Sequence, residues 1–235
     1  MDMVLTDDEN LLRDTAKGFL ETSAPIGQLR RLRDEAGTDG FDRDTWRAMV
    51  EMGWPGVLVP EVHGGAAMGH GAAGVIAEEM GRTLTASPWL STAVMGATAI
   101  GQFGSTAQQD HWLPRIAAGE AIIAIAVDEG RSHLPECVST AAEQSGEGFR
   151  LSGAKSFVAD GHVADVLLVS ARTAGNPDEP HGITLFLVST QTTGVTVERQ
   201  SMLDSRFSAS VGLEGVQVAA CAVVGEVDKG WGPLQ

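Results

Sequence analysis

Tyrosine is missing altogether, and only 5% of the 235 residues are aromatic. The core must therefore be built mainly from aliphatic side chains. Hydrophobic residues still make up 43%, enough for a substantial interior and too many for a disordered chain. Basic residues are scarce, with 16 Lys and Arg against 31 Asp and Glu, for a formal net charge of -15. That balance argues against nucleic acid and anionic membranes as partners, because both reward Lys and Arg. An anionic ligand is not excluded, since a few local donors hold a phosphate on an acidic protein. Cysteine occurs twice, at Cys137 and Cys221. Two separated cysteines with no histidine cluster fit neither a disulfide scaffold nor a zinc site and read as buried thiols in a reducing compartment. The longest uncharged stretch, 83–109, is broken throughout by Ser, Thr, Gln and Gly, so it reads as a buried segment rather than a membrane span. The acidic start, Met1 to Asp8, lacks the basic-then-apolar order of a signal peptide. The cytoplasm is the expected compartment.

Residues 6 to about 118 carry helical signals. Thr6 and Glu9 have capping-box spacing, and Leu12, Ala16, Phe19 and Leu20 follow at helical intervals. Pro25 should break this run. A short helix is expected over 27–35. A third begins near Asp42, with Trp46, Met49 and Val50 on one face and Gly53 as its C-cap. Over 70–84, Val75, Ile76 and Met80 form one side and Glu78 with Glu79 an exposed one. Pro88 sits near the start of the next helix, which runs to about Phe103 without a charged residue and reads as buried. The last helix begins near Thr106, and Pro114 should kink or interrupt it.

Past Gly119 and Glu120 the pattern changes. Segments 121–127, 148–153, 164–171, 182–189, 194–199 and 211–218 are short, β-compatible and regularly spaced, and 174–181 is an exposed loop. The expected fold class is α+β multi-domain: an all-α helical domain over 1–118, then a β-barrel or β-sandwich domain over 119–235.

Four segments carry candidate function. Gly53-Trp54-Pro55-Gly56 through Pro60-Glu61-Val62-His63-Gly64-Gly65 reads, residue by residue, as a structural connector. Gly153-Ala154-Lys155-Ser156-Phe157-Val158-Ala159-Asp160-Gly161 reads as a strand ending in a hairpin turn. Val127-Asp128-Glu129-Gly130-Arg131-Ser132-His133 reads as a strand end and polar loop. Asp204-Ser205-Arg206 precedes a strand and a glycine-containing exit at Gly225 and Lys229-Gly230-Trp231.

Taken together these strings resemble the acyl-CoA dehydrogenase family from about Leu5 to the last residue. The connector matches the family's Pro-Glu, variable pair, Gly-Gly. The strand resembles its Gly-x-Lys, Trp-Ile-Thr or Ser, Asn-Gly, Ala-Asp, and the loop resembles its Thr-Glu-Pro-x-Ala-Gly-Ser-Asp, lying 27 residues before Lys155 when counted from Asp128. The resemblance implies FAD as cofactor and an acyl-CoA thioester as substrate, with α,β-dehydrogenation and hydride transfer to the flavin. It places Ala126, Val127, Ser132, Phe157, Val158 and Ala159 at the cofactor, and His133 and Arg206 at the substrate. The uncharged helix over 87–103 would line the acyl cavity. The departures are specific. Phe157 replaces the Trp that flanks the flavin and can still stack. Ala159 replaces a hydroxyl residue that bonds near the flavin N5, leaving only a main-chain donor. Val127 stands for the Thr and Ser132-His133 for the Gly-Ser pair, while Glu129 would repel a pyrophosphate unless Arg131 compensates.

The family's catalytic base, a Glu of the C-terminal helical domain, has no counterpart here, because the chain ends at Gln235 where that domain would begin. A fragment is therefore expected, inactive alone. Electron-transfer flavoprotein is the implied electron acceptor, and a homo- or hetero-oligomer is the implied assembly. Two other functions remain open. One is a non-catalytic partner subunit of a hetero-oligomeric dehydrogenase, and the other is a relative oxidising a non-thioester substrate. The histidines (His63, His70, His111, His133, His162, His181) show no metal-ligand spacing, and no P-loop or Gly-x-Ser-x-Gly occurs. Arg30, Arg31 and Arg33 beside Asp34 and Glu35 read as a solvated face.

Overall fold

The structure is a computed structural model that describes residues 4–35, 37, 39–204 and 206–235. Thr6 opens α1 (Asp7–Ser23) through a complete capping box: its hydroxyl accepts from the Glu9 N–H, and Glu9 accepts from the Thr6 N–H. Asp7, Asp8 and Glu9 then face the positive end of the helix dipole. α2 (Ile26–Asp34) and α3 (Arg43–Glu51) follow, the latter capped by Asp42 and left through Gly53 at φ 75°. α4 (Gly69–Thr83) buries Val75, Ile76 and Met80 as expected. Glu79 departs from expectation, for it is buried beside the Arg82 guanidinium at 3.2 Å, and Arg82 also reaches exposed Glu78.

The uncharged helix is not regular. Leu90–Gly96 forms a π-helical segment that runs into α5 (Ala97–Phe103). Trp89, Ala93, Ala97 and Ile100 are buried, whereas Leu90 and Met95 are exposed. A buried helix was expected, and only one side of it is covered. α6 (Thr106–Ala117), boxed by Ser105 and Gln108, continues through Pro114 rather than stopping at it. The bond that proline cannot donate would go to the carbonyl of exposed Asp110, where water can serve instead.

Among the described residues eight strands follow: β1 (Ile123–Ala126), β2 (Ala141–Ser145), β3 (Gly148–Ala159), β4 (Val166–Arg172), β5 (Ile183–Ser189), β6 (Val195–Ser201), β7 (Phe207–Ala219) and β8 (Val223–Val224), with a last short helix α7 (Trp231–Leu234). They form one mixed sheet in the order β6-β7-β3-β2-β4-β5-β8, with β1 parallel to β4. The two halves, β6-β7-β3-β2 and β1-β4-β5-β8, meet at the single pairing of Ala141 with Arg172. The turn at Asp160 and Gly161 does not make the expected hairpin, because β3 pairs with β2 and β7 and the chain crosses to β4. β2 has no counterpart among the expected strands, its polar sequence burying only Ala142.

β4 is buried along its whole length. Leu167, Val169 and Ala171 join one core with Leu20, Met49, Ile76, Trp89, Leu151 and Phe186. Val166 and Leu168 join a second with Val59, Ile100, Leu113, Ile116 and Leu185. Helical and strand residues share both cores. Neither cysteine belongs to them: Cys221 is exposed and Cys137 half-buried in irregular chain, which corrects the expectation of two buried thiols.

Candidate functional site

The loop after β1 and the centre of β3 are stitched together by polar contacts. Lys155 is the anchor. Its side chain has no solvent exposure, and Nζ donates to Glu129 Oε1 (2.7 Å), Ser170 Oγ (2.9 Å) and the Val127 carbonyl (3.2 Å). An ammonium has three protons, and all three are used. Glu129 in turn accepts from the main-chain N–H groups of Ser139 and Thr140 at 2.7 and 2.9 Å. Next to this pair, the Ser156 N–H donates to the Asp128 carbonyl and its hydroxyl to that of Gly130. Burial pushes the Glu129 carboxyl upward, but the Lys155 charge and the hydrogen bonds from Lys155 and Thr140 outweigh it and hold the pKa below the usual value. Glu129 is thus already neutralised by Lys155.

Ser156 and Phe157 fall in a register shift between Lys155 and Val158, a bulge on the β7 side of β3. Phe157 adopts φ 53°, a conformation that costs a bulky L-residue about 1–2 kcal/mol. The bulge turns the ring outward, 45% exposed. Val158 points the other way into the core, and Ala159 is exposed again. Ala126 is also fully buried, so Ala126 and Val158 offer a ligand only their main chains. A planar ring system stacked on this strip would meet an aromatic face at Phe157. Its polar edge would find only main-chain N–H groups there, because Val127 and Ala159 have no side-chain donor.

Two cavities flank the π-helical segment. The larger, about 510 Å³, is lined among others by Val94, Met95, Ile125, Val127, His133 and Leu168. The structure therefore brings Val127 and His133 to one cavity. His133 is tethered there by Asp128, with Nδ1 2.9 Å from Oδ2. Ser132 lies in the exposed loop and lines neither of these cavities. The smaller, about 360 Å³, lies between Met80, Leu84, Trp89 and Leu90 and the turn carrying Asp204 and Arg206. Arg206 is thus set apart from the other candidates. Its main-chain N–H, not its guanidinium, bonds Asp204 at 3.0 Å; Ser205 lies outside the described residues.

Two polar residues at this site are absent from the sequence-derived candidates. Ser91, inside the uncharged helix, lies 2.6 Å from Asp160 Oδ2. Asp160 is only 8% exposed, and burial raises its carboxyl pKa against the hydrogen bond from Ser91 and the charges of Arg206 and His162. The turn-forming Asp-Gly at the strand end was legible, but nothing in the sequence marked the aspartate as buried. Among the described residues no group of three or more His, Cys, Asp and Glu is placed to hold a metal, and no helix is long and apolar enough to cross a membrane.

Comparison with known proteins agrees along most of the chain. The profile described as "Acyl-CoA dehydrogenase, N-terminal domain" matches residues 6–120, and "Acyl-CoA dehydrogenase, middle domain" matches 123–214. Acyl-CoA dehydrogenase FadE27 of Mycobacterium tuberculosis is 31% identical over 188 residues, covering 80% of this chain and 48% of the relative. The mitochondrial long-chain specific acyl-CoA dehydrogenase of Sus scrofa is 31% identical over 195 residues, covering 80% of this chain and 45% of that one. A chain in the crystal structure of the ChsE4-ChsE5 complex from Mycobacterium tuberculosis superposes with a TM-score of 0.87 at 27% identity, covering 99% of this chain and 61% of its own. The chain spans about half the length of these curated relatives.

Proposed function

Because the chain belongs to the acyl-CoA dehydrogenase family, we propose that it supplies the cofactor-facing strands and the acyl-cavity wall of an FAD-dependent enzyme that desaturates an acyl-CoA thioester. The reading divides it into a helical domain over 1–118 and a β-rich middle domain over 119–235, working in the cytoplasm within an oligomer. FAD, when bound, would accept the hydride leaving the β-carbon. The chain's own residues bind and orient. Phe157 offers a face to the flavin ring. Val127 and His133 bound the larger cavity beside Val94 and Met95, where an acyl thioester would lie. Arg206 stands ready for an anionic group. Removal of the weakly acidic α-proton needs a base, and none is assigned to a residue of this chain. Electrons would leave through an electron-transfer flavoprotein.

The observation that carries this reading is the Lys155 junction, which fixes the 126–133 segment against the aromatic end of β3 at the edge of a cavity large enough for a ligand. A second reading is favoured by the missing donors at Val127 and Ala159, and by the likeness to a chain of the ChsE4-ChsE5 complex. In it this chain is a flavin-poor subunit that completes a site together with a different dehydrogenase chain. The visible spectrum of the complete polypeptide, purified alone, decides between them. A yellow protein bleached by an acyl-CoA supports the first. A colourless one that gains FAD only with a second chain supports the second. Bleaching solely by a non-thioester substrate would overturn the thioester assignment.

A further inference from the structure

We propose that Asp128 and His133 form an orienting dyad, which presents the unprotonated Nε2 of His133 to the larger cavity as an acceptor for an O–H or N–H group of the ligand. The inference rests on the proposed function for the class of ligand, an acyl thioester, and goes beyond it in naming a contact that selects among such ligands.

Asp128 is fixed by the protein itself. Its main-chain carbonyl accepts from the Ser156 N–H at 2.8 Å, at the bulge that carries Phe157. The next residue, Glu129, is bound to Lys155. The Asp128 carboxylate turns back on the loop it begins. Oδ1 accepts from the Leu134 N–H at 3.2 Å, and Oδ1 and Oδ2 lie 3.1 and 2.9 Å from His133 Nδ1. A carboxylate has no proton to give, so Nδ1 carries the hydrogen. In the neutral ring the second nitrogen is then a bare acceptor. Nε2 has no hydrogen-bond partner among the described residues.

The cavity gives that nitrogen its importance. Among the described residues no Asp, Glu, Lys or Arg side chain lines it, and most of its wall is apolar. Its other imidazole, His70, has no carboxylate to set its tautomer: Nε2 lies 3.3 Å from the Thr98 hydroxyl, which donates and accepts alike. The dyad is open, with the His133 side chain 73% exposed and that of Asp128 16%. So open a pair adds little to stability. What it sets is direction and tautomer. A ligand that covers the ring displaces water from Nε2, and must bring a donor of its own or leave the nitrogen unpaired. A plain alkyl chain has none. A hydroxyl on the acyl chain and an amide N–H of the coenzyme A arm are the two donors an acyl thioester can bring.

His133 is thus the binding group, and Asp128, acting only through it, a positioning residue. The test uses the complete polypeptide. Nitrogen NMR of imidazole-labelled protein, at a pH where the ring is neutral, should show His133 with the hydrogen on Nδ1. Asp128→Asn, whose amide can donate to Nδ1 as well as accept from it, should shift the ring toward the Nε2–H form. Binding is then measured with two probes, octanoyl-CoA and 3-hydroxyoctanoyl-CoA. His133→Asn keeps an N–H for Asp128 but has no Nε2, and should weaken binding about 2- to 10-fold. A loss for both probes places the donor on the coenzyme A arm, and a loss for the hydroxylated probe alone places it on the acyl chain. A wild-type ring with its hydrogen on Nε2, or a His133→Asn protein that binds both probes as tightly as wild type, overturns this inference alone. A wild type that binds neither probe overturns the acyl-thioester reading and this inference with it.

Discussion

Lys155 Nζ and Glu129 Oε1 lie 2.7 Å apart across 26 residues of sequence, with the lysine side chain wholly out of solvent. The pair joins two segments that separately look like an ordinary strand and an ordinary loop. Its burial makes it a geometric constraint more than a source of net stability, since two charges have been taken out of water to form it.

Removing one member should therefore cost more than removing both. Lys155→Met leaves Glu129 half-buried without its cation and is expected to destabilise the protein by about 3 kcal/mol. The double variant Lys155→Met/Glu129→Gln should recover a good part of that loss. Urea unfolding of both single variants and the double variant in the complete polypeptide measures this, and a double-variant loss equal to the sum of the two single losses would mean that the two side chains are not coupled.

Acid should loosen the same junction. The folded pKa of Glu129 is depressed below 4.5, so its contribution is complete above that value and is lost as pH falls through the lower folded one. Glu129→Gln should be less stable than wild type near neutrality, and the gap should close on acidification below about 4.5. Denaturation midpoints across that range, compared between the two proteins, give the answer. A gap that widens instead would reverse the assigned sign.

Phe157 combines an exposed ring with φ 53°, a costly arrangement for a side chain that buries little. Phe157→Gly relieves the backbone at some entropic cost, for a net gain of about 0.5 kcal/mol in unfolding free energy. Flavin retention should fall in the same variant if the ring is the stacking surface. Unfolding curves and bound-flavin absorbance are read together, and a variant that gains stability without losing flavin would remove Phe157 from the cofactor site.

Ala159→Thr restores a hydroxyl where the resemblance expects one. One net hydrogen bond of about 0.5–1.5 kcal/mol corresponds to roughly 2- to 10-fold tighter FAD binding. Titration of the apoprotein with FAD reports it. An unchanged affinity would place the flavin's polar edge away from Ala159.

Much of the architecture was legible because periodicity and caps are local. Thr6 with Glu9, Asp42, and Gly53 marked helix boundaries directly, and the apolar runs of β4 and β5 marked strands. What escaped was set by distant partners. β2 is polar and is held by pairing with β3, so no pattern within Ala141–Ser145 announces it. Pro114 was read as a breaker because the sequence does not show that the carbonyl it fails to serve faces water. Glu79 was read as exposed because an acidic pair looks alike whether or not one member is buried. At the site, the motifs located Phe157 and the 126–133 segment, while the roles of Lys155, Ser91 and Asp160 depend on contacts across 26 to 69 residues.

The two cores have a consequence for anyone who would handle the halves as modules. β4 gives alternate side chains to different cores, and each core mixes helix with strand. A cut between Ala117 and Ile123 would expose apolar surface on both products, so neither half is expected to be an interchangeable part. Chimeras that graft the strands of one relative onto the helices of another should fail at this seam unless the residues of α5, α6 and β4 travel together.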